Sequence, residues 1–202
     1  MLLVIRNSID KSNFFCYVRN MKLDRDIMVD LETLATSPTS AILTIAGIRF
    51  NPNRDYNEQD DPFELDHFYC RVDLEQPNRE INDDTMAWWA NQAAEIREEA
   101  FAEDSRYPLD AVMEAFNQWA AGGDRYWANG SAFDFPILED ANKQYNLRNP
   151  WQFWQVRDAR TVYNMIPDHH IPTNAKHHAL YDCLNQIVRL NDCFNKMGKW
   201  PR

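Results

Sequence analysis

The chain has 202 residues, of which 45% are hydrophobic and 13% aromatic, enough apolar side chain for one folded domain and too much for a disordered segment. It carries 31 acidic against 21 basic residues, a net charge of −10, which excludes a protein that coats DNA or RNA through a broad basic surface. An enzyme that grips a few nucleotides through bound cations is not excluded.

Residues 1–25 show no clear period. They read as an N-terminal arm or as the product of a start upstream of Met21, with an edge strand over residues 14–18 as the alternative. The apolar residues 1–5 are too short for a signal-peptide core before Arg6, and no window approaches a transmembrane length, so a cytoplasmic protein with no membrane partner is expected. Cys16, Cys70, Cys183 and Cys193 are scattered, with neither a C-x-x-C pair nor zinc spacing, and read as thiols in a reducing compartment. From residue 26 the pattern firms. Residues 27–31 are a buried strand and residues 34–39 a polar loop. Residues 41–50 are a β-branched strand with Ile42, Thr44, Ala46 and Ile48 on one face. After a charged turn, residues 65–72 make a third strand, and the three read as an antiparallel meander. Asp83 or Asp84 is expected to cap a helix over residues 85–92, followed by helices over 94–102 and 109–121, the last ended by Gly122-Gly123. Residues 126–128 form a short strand, Asn129-Gly130-Ser131 a tight turn, and residues 132–145 a helix. Residues 157–166 are expected to be helical, and 178–194 form the last long helix. Strands first, then helices alternating with a short strand, predict an α/β fold with one mixed sheet, part meander and part parallel, flanked by helices. The expected organisation is a single domain over residues 26–195 and a tail over 196–202.

Three clusters carry chemistry. Asp30 and Glu32 follow the apolar run 27–29 and, two apart on a strand, point to one face. Two adjacent carboxylates repel, and a hard cation such as Mg²⁺ relieves the repulsion through oxygen ligands. A strand end with two solvated acids has the same pattern. Asp134 sits at a helix start, where the dipole favours an acid, but between Phe133 and Phe135 its carboxylate needs a cation or hydrogen-bond donors. His177 and Asp182 are five apart, about 140° around a continuous helix, so they share no helix face. They converge if His177 lies in the preceding loop and Asp182 in the second turn, with His178 starting the helix and pointing elsewhere. A solvated histidine pair capping a helix is the alternative. Of the adjacent tryptophans, Trp89 joins an apolar stripe with Met86, Ala90 and Ala93, whereas Trp88 falls off it, open to a nucleobase or to a second packing contact. Arg157 and Arg160 can hold a phosphate or pair with Asp158 or Glu139.

In chain order, Asp30-x-Glu32-Thr33, Phe133-Asp134 and His177-x-Ala179-Leu180-x-Asp182 resemble the motifs of the DEDDh 3′–5′ exonucleases, which have the ribonuclease H-like fold. The segments Thr85-Met86-Ala87-Trp88-Trp89-Ala90-Asn91-Gln92, Phe133-Asp134-Phe135-Pro136-Ile137-Leu138 and Phe153-Trp154-Gln155-Val156-Arg157-Asp158-Ala159-Arg160-Thr161 are similar to one branch of that family. It holds the exodeoxyribonucleases of tailed phages and related bacterial 3′–5′ exoribonuclease domains, and so points to a phage or prophage source. The resemblance implies Asp30, Glu32, Asp134 and Asp182 as metal ligands and His177 as general base. It also implies substrate contacts at Thr33, Leu34 and Phe133 beside Trp88 and Arg157. Two divalent cations, Mg²⁺ or Mn²⁺, about 4 Å apart, would flank the scissile phosphate. The position of His177 before a helix N-terminus would favour its neutral form. The implied partner is the single-stranded 3′ end of DNA or RNA, released as nucleoside monophosphates. A dedicated RNA-trimming enzyme and an inactive nucleic-acid- or partner-binding module on the same fold stand as alternatives, and a homodimer stays open.

Overall fold

The computed structural model describes residues 24–172 and 177–198; the arm expected before them and most of the tail lie outside the described residues. Six strands form one sheet: β1 (Asp26–Thr33), β2 (Ile42–Phe50), β3 (His67–Val72), β4 (Arg106–Tyr107), β5 (Arg125–Ala128) and β6 (Val156–Asp158). Their order across the sheet is β4-β3-β2-β1-β5-β6. The pairs β1–β2 and β2–β3 are antiparallel, the expected meander, whereas β1–β5, β5–β6 and β3–β4 are parallel. The helices are α1 (Asp83–Ala90), α2 (Ala94–Phe101), α3 (Leu109–Ala120), α4 (Ser131–Gln144), α5 (Ala159–Met165) and α6 (Ala179–Lys196).

β1 is central, and its two faces feed two cores. Ile27, Val29 and Leu31 pack with Val112, Phe116 and Trp119 of α3 and Ile137, Leu138 and Ala141 of α4. Met28 packs on the opposite side with Leu180, Cys183, Leu184 and Ile187 of α6. Period-two alternation therefore sends Asp30 and Glu32 out on the α6 face, beyond Met28. The start of the strand is pinned by Asp26, whose buried carboxylate accepts both Arg125 Nε and Trp127 Nε1 at 2.9 Å. Cys70, Cys183 and Cys193 are buried thiols. Among the described residues no helix is long and apolar enough to cross a membrane.

The structure departs from expectation where local chemistry has two solutions. Ile42, Thr44, Ala46 and Ile48 do not share one face, because the register jumps from Glu32↔Thr44 to Thr33↔Ile42. The extra residue, Leu43, is a bulge; it turns Ile42 to the α3 side while Ala46 and Ile48 stay under α6. The parallel two-residue strand β4 lacks an alternating apolar pattern and was not anticipated. Of the stripe expected on α1, only Trp89 is buried; Met86, Ala90 and Ala93 are exposed. Arg157 and Asp158, expected in a helix, extend the sheet as β6. Helix α5 starts after them, because the Asp158 side chain accepts from Thr161 N and ends the strand as an N-cap.

The cap of α1 is Asn82, one residue ahead of the expected aspartates; its side chain accepts from Asp84 N and Thr85 N. Asn82→Ala should lower the unfolding free energy by about 1 kcal/mol, the usual loss of a cap. Asp83→Ala and Asp84→Ala should cost less, since these acids offer only the dipole. Urea denaturation of the three variants tests this, and a larger loss at either aspartate would contradict the assignment.

Candidate active site

The acidic groups come from three elements: Asp30 and Glu32 from β1, Asp134 from α4 and Asp182 from α6. Asp30 Oδ1 accepts from Gln186 Nε2 at 2.7 Å, across from β1 to α6. β5 pairs with β1 only as far as Met28↔Trp127. Beyond that point the Leu31 N–H is available to the Asp134 carboxylate, which also accepts its own backbone N–H. Asp134 is the fourth residue of α4 and only 4% exposed. The turn before it needs Gly130, whose φ of 109° lies in the left-handed region. Asp158 locks that turn: besides capping α5, its carboxylate accepts Ser131 N at 2.8 Å and Ser131 Oγ at 3.3 Å. One side chain thus sets the starts of two helices.

His177 is not on α6. Its φ of 62° is left-handed, a conformation that costs a non-glycine residue of order 1–3 kcal/mol unless its surroundings fix it. Here its backbone N–H donates to Asp182 Oδ2 at 2.7 Å, while Asp182 N donates to the His178 carbonyl at 2.9 Å. Asp182 is therefore in the first turn of α6, not the second as expected. The candidate ligand atoms of Glu32, His177 and Asp182 all lie within 4.8 Å of one another. His178 caps α6 and points away: its ring stacks on Tyr69 at 5.0 Å and its Nε2 lies 3.6 Å from Glu99.

The tryptophan pair divides as the helical angle requires. Trp89 is buried, and its Nε1 donates to the Thr33 carbonyl at 2.9 Å. Trp88 is 43% exposed and stands edge-on to the His177 ring, with centroids 5.1 Å apart. Of the other residues expected near substrate, Thr33 is buried, its hydroxyl donating to the Ala35 carbonyl, and Phe133 is half-buried against the α3–α4 core. Leu34 is 3% exposed and packs with Leu43 and Trp89, so it supports the site from beneath. The Arg157 guanidinium folds back onto the carbonyls of Trp154 and Val156 and is not paired with Asp158 or Glu139. The latter accepts Trp151 Nε1. Sequence reasoning missed Gln186 and the capping role of Asp158; Arg160, read there as able to hold a phosphate, donates to the Asn129 carbonyl in the turn before α4. Of the two that were missed, only Gln186 has a readable signal, its i,i+4 spacing from Asp182 on one helix face.

Crowding and burial make these acids hard to ionise together. Burial and then the charge of Asp182 push Glu32 up to about 8. Burial raises Asp134 to about 7, opposed by hydrogen bonds to its own and Leu31 N–H and by Arg160. Asp30 lies well above the ordinary carboxylate range through burial and the charges of Glu32, Asp134 and Asp182. The effect reaches Cys183, whose thiol is pushed up by burial and by all four carboxylates. Half-buried carboxylate oxygens that repel one another form a donor set suited to hard divalent cations.

A family model for the 3′–5′ exoribonuclease Rv2179c-like domain matches residues 25–194. The exodeoxyribonuclease of Enterobacteria phage T4 is 26% identical over 200 residues, covering 82% of this chain and 87% of that protein. The nuclease domain of 3′hExo, a DEDDh family member bound to rAMP, superposes with a TM-score of 0.55 at 15% identity, over 91% of this chain and 98% of that one. S. pombe Pop2p, in its Mg²⁺- and Mn²⁺-bound form, gives 0.53 at 10% identity, over 83% and 81%. The fold is that of the ribonuclease H-like nucleases. The chain belongs to the family of Rv2179c-like 3′–5′ exoribonuclease domains and is a 3′–5′ exonuclease of the DEDDh type.

The raised carboxyls give a signed pH prediction. An acid whose folded pKa exceeds its unfolded value stabilises fully below the unfolded value, and that contribution is lost as pH rises through the folded one. For Glu32 the window runs from 4.5 to about 8. In chelator, the stability of the wild type relative to Glu32→Gln should therefore fall as pH rises from 5 to 8, read by urea denaturation at each pH. A relative stability that rises over that interval would contradict the electrostatics.

Proposed function

We propose that residues 26–195 form an exonuclease domain that removes nucleoside monophosphates one at a time from single-stranded 3′ ends of DNA or RNA. In this reading Asp30, Glu32, Asp134 and Asp182 hold two divalent cations, Mg²⁺ or Mn²⁺, and His177 is the general base. The observation that carries it is the meeting of His177 with Glu32 and Asp182, whose candidate ligand atoms lie within 4.8 Å of one another. Cations bound there supply Lewis-acid polarisation of the phosphodiester and a water acidic enough to attack near neutral pH. The cations that Pop2p holds support the same need here.

The chain's own groups then divide the work. His177 accepts the attacking water's proton at a ring nitrogen, with the Trp88 ring in T-shaped contact restricting where the imidazole can turn. Gln186 holds Asp30, and the Leu31 N–H holds Asp134, in the orientation that ligation requires. Trp88, still exposed on one side, offers a stacking surface to the terminal base. A net charge of −10 leaves little to hold a duplex, and opening a duplex end costs a few kcal/mol, so single strands are preferred. Both nucleic acids are named among the relatives, one an exodeoxyribonuclease and one an exoribonuclease domain.

The test is digestion of oligonucleotides with free 3′ ends, blocked 3′ ends, or closed into circles, in Mg²⁺ and in chelator. Stepwise release of mononucleotides from free 3′ ends in Mg²⁺ alone is expected; cleavage of circles, or undiminished turnover in chelator, would overturn the reading. His177→Ala should lower the rate about 10²–10⁴-fold, as for a positioned acid–base group. His178→Ala should cost much less, and an equal or larger loss there would mean the base is misassigned.

A further inference from the structure

The acidic cluster has two flanks. On the β2 side stand Trp88 and His177, where the proposed reading puts the terminal nucleoside. On the β5–β6 side the chain makes the turn Asn129-Gly130-Ser131, and a single cationic side chain lies across it. The Arg160 guanidinium, from the first turn of α5, donates through Nη2 to the Asn129 carbonyl at 2.9 Å. A Cβ on Gly130 would come within 3.2 Å of that same Nη2. The glycine thus serves the turn twice, through its positive φ and through the space it leaves for the guanidinium. The turn opens the helix that carries Asp134, and Phe133 N bonds back to the Gly130 carbonyl. Arg160 is close enough for its charge to offset part of the burial penalty on Asp134. Yet it is exposed, and the Asn129 carbonyl occupies only one of the five N–H donors that a guanidinium carries.

A fixed, exposed guanidinium at the rim of a carboxylate site has an obvious complement in a strand substrate. The strand's phosphates carry negative charge into a cleft that is itself acidic, so each one beyond the scissile phosphate is repelled unless a cation meets it. We propose that Arg160, not Arg157, is a substrate-binding residue that holds the backbone phosphate immediately 5′ of the scissile one. The strand then crosses the acidic cluster from Trp88 to Arg160. This inference rests on the exonuclease reading above and adds the path of the strand. Seating the arginine on a backbone turn presets its geometry, so less side-chain freedom is lost when the phosphate arrives.

The experiment uses the thymidine trinucleotide TpTpT and the same molecule with an uncharged methylphosphonate at its 5′ linkage, both with a free 3′ end, in Mg²⁺. Loss of a charge-assisted contact predicts that Arg160→Ala lowers kcat/KM on TpTpT about 10–100-fold, mainly through KM. The methylphosphonate should cost the wild type a similar factor and cost Arg160→Ala little more. The slope of log kcat/KM against log salt should become shallower by about 0.7, as for one single-strand phosphate contact. Arg160→Lys, which keeps the charge, should fall between. Arg148→Ala, which removes the same charge beyond the far end of α4, should change none of these. If Arg160→Ala loses nothing on TpTpT, or remains as sensitive as the wild type to the methylphosphonate, the assignment is wrong and the exonuclease reading stands. If the wild type degrades neither trinucleotide nor any longer strand, the exonuclease reading itself fails and the assignment falls with it.

Discussion

Mutual repulsion among Asp30, Glu32, Asp134 and Asp182 is the constraint around which the rest of this molecule is arranged. Four carboxylates brought together from β1, α4 and α6 would relax by turning outward unless other groups hold them. Burial raises Glu32 to about 8 and Asp134 to about 7, so keeping them ionised in place is costly. Arg160 acts on Asp134 only through its charge, and among the described residues the groups hydrogen-bonded to these acids include no lysine or arginine. They are neutral donors: the Gln186 amide, the Leu31 and Asp134 backbone N–H groups, and the His177 backbone N–H. Neutral donors fix position without cancelling charge, and this leaves the cluster's charge for cations to neutralise.

The scaffold supplies that rigidity from below. Asp158 begins two helices at once, so β6, α4 and α5 cannot shift independently near Asp134. Trp89 ties α1 to the carbonyl of Thr33, directly after Glu32, and in doing so fixes the exposed neighbour Trp88 beside His177. Arg160 lies on the same turn that Asp158 locks. The first-turn position of Asp182 lets its carboxylate reach back to the His177 N–H, which explains how residues five apart converge off a helix.

Much of this was legible in the residues, for identifiable reasons. The shared face of Asp30 and Glu32 follows from the period of a strand, and the exclusion of His177 from α6 follows from the angle of a helix. The meander was legible because its strands carry β-branched residues between turn signals. What was not legible lay where one side chain chooses between two backbones. Asp158 can continue a helix or cap one; because it caps, Arg157 falls in a strand and donates to neighbouring carbonyls, while Arg160 falls in the helix near Asp134. Asn82, Asp83 and Asp84 are all competent caps, and the sequence does not rank them. Leu43 sits in a run that is apolar on both faces, so a bulge there leaves no trace in the alternation. The i,i+4 link between Asp182 and Gln186 was readable in the sequence, but the partner of Gln186 was not, because nothing there puts Asp30 opposite it.

The most direct measurement is calorimetric titration of the wild-type protein with Mn²⁺ at pH 7 in two buffers of different ionisation enthalpy. Ligands must be deprotonated to bind a cation, so protons held by the raised carboxyls are expelled on binding. With Glu32 near 8 and Asp134 near 7, net release of about one proton or more is expected, fading as the titration is repeated above pH 8. Binding whose enthalpy is the same in both buffers at pH 7, or no binding at all, would contradict a site built on four mutually repelling carboxylates.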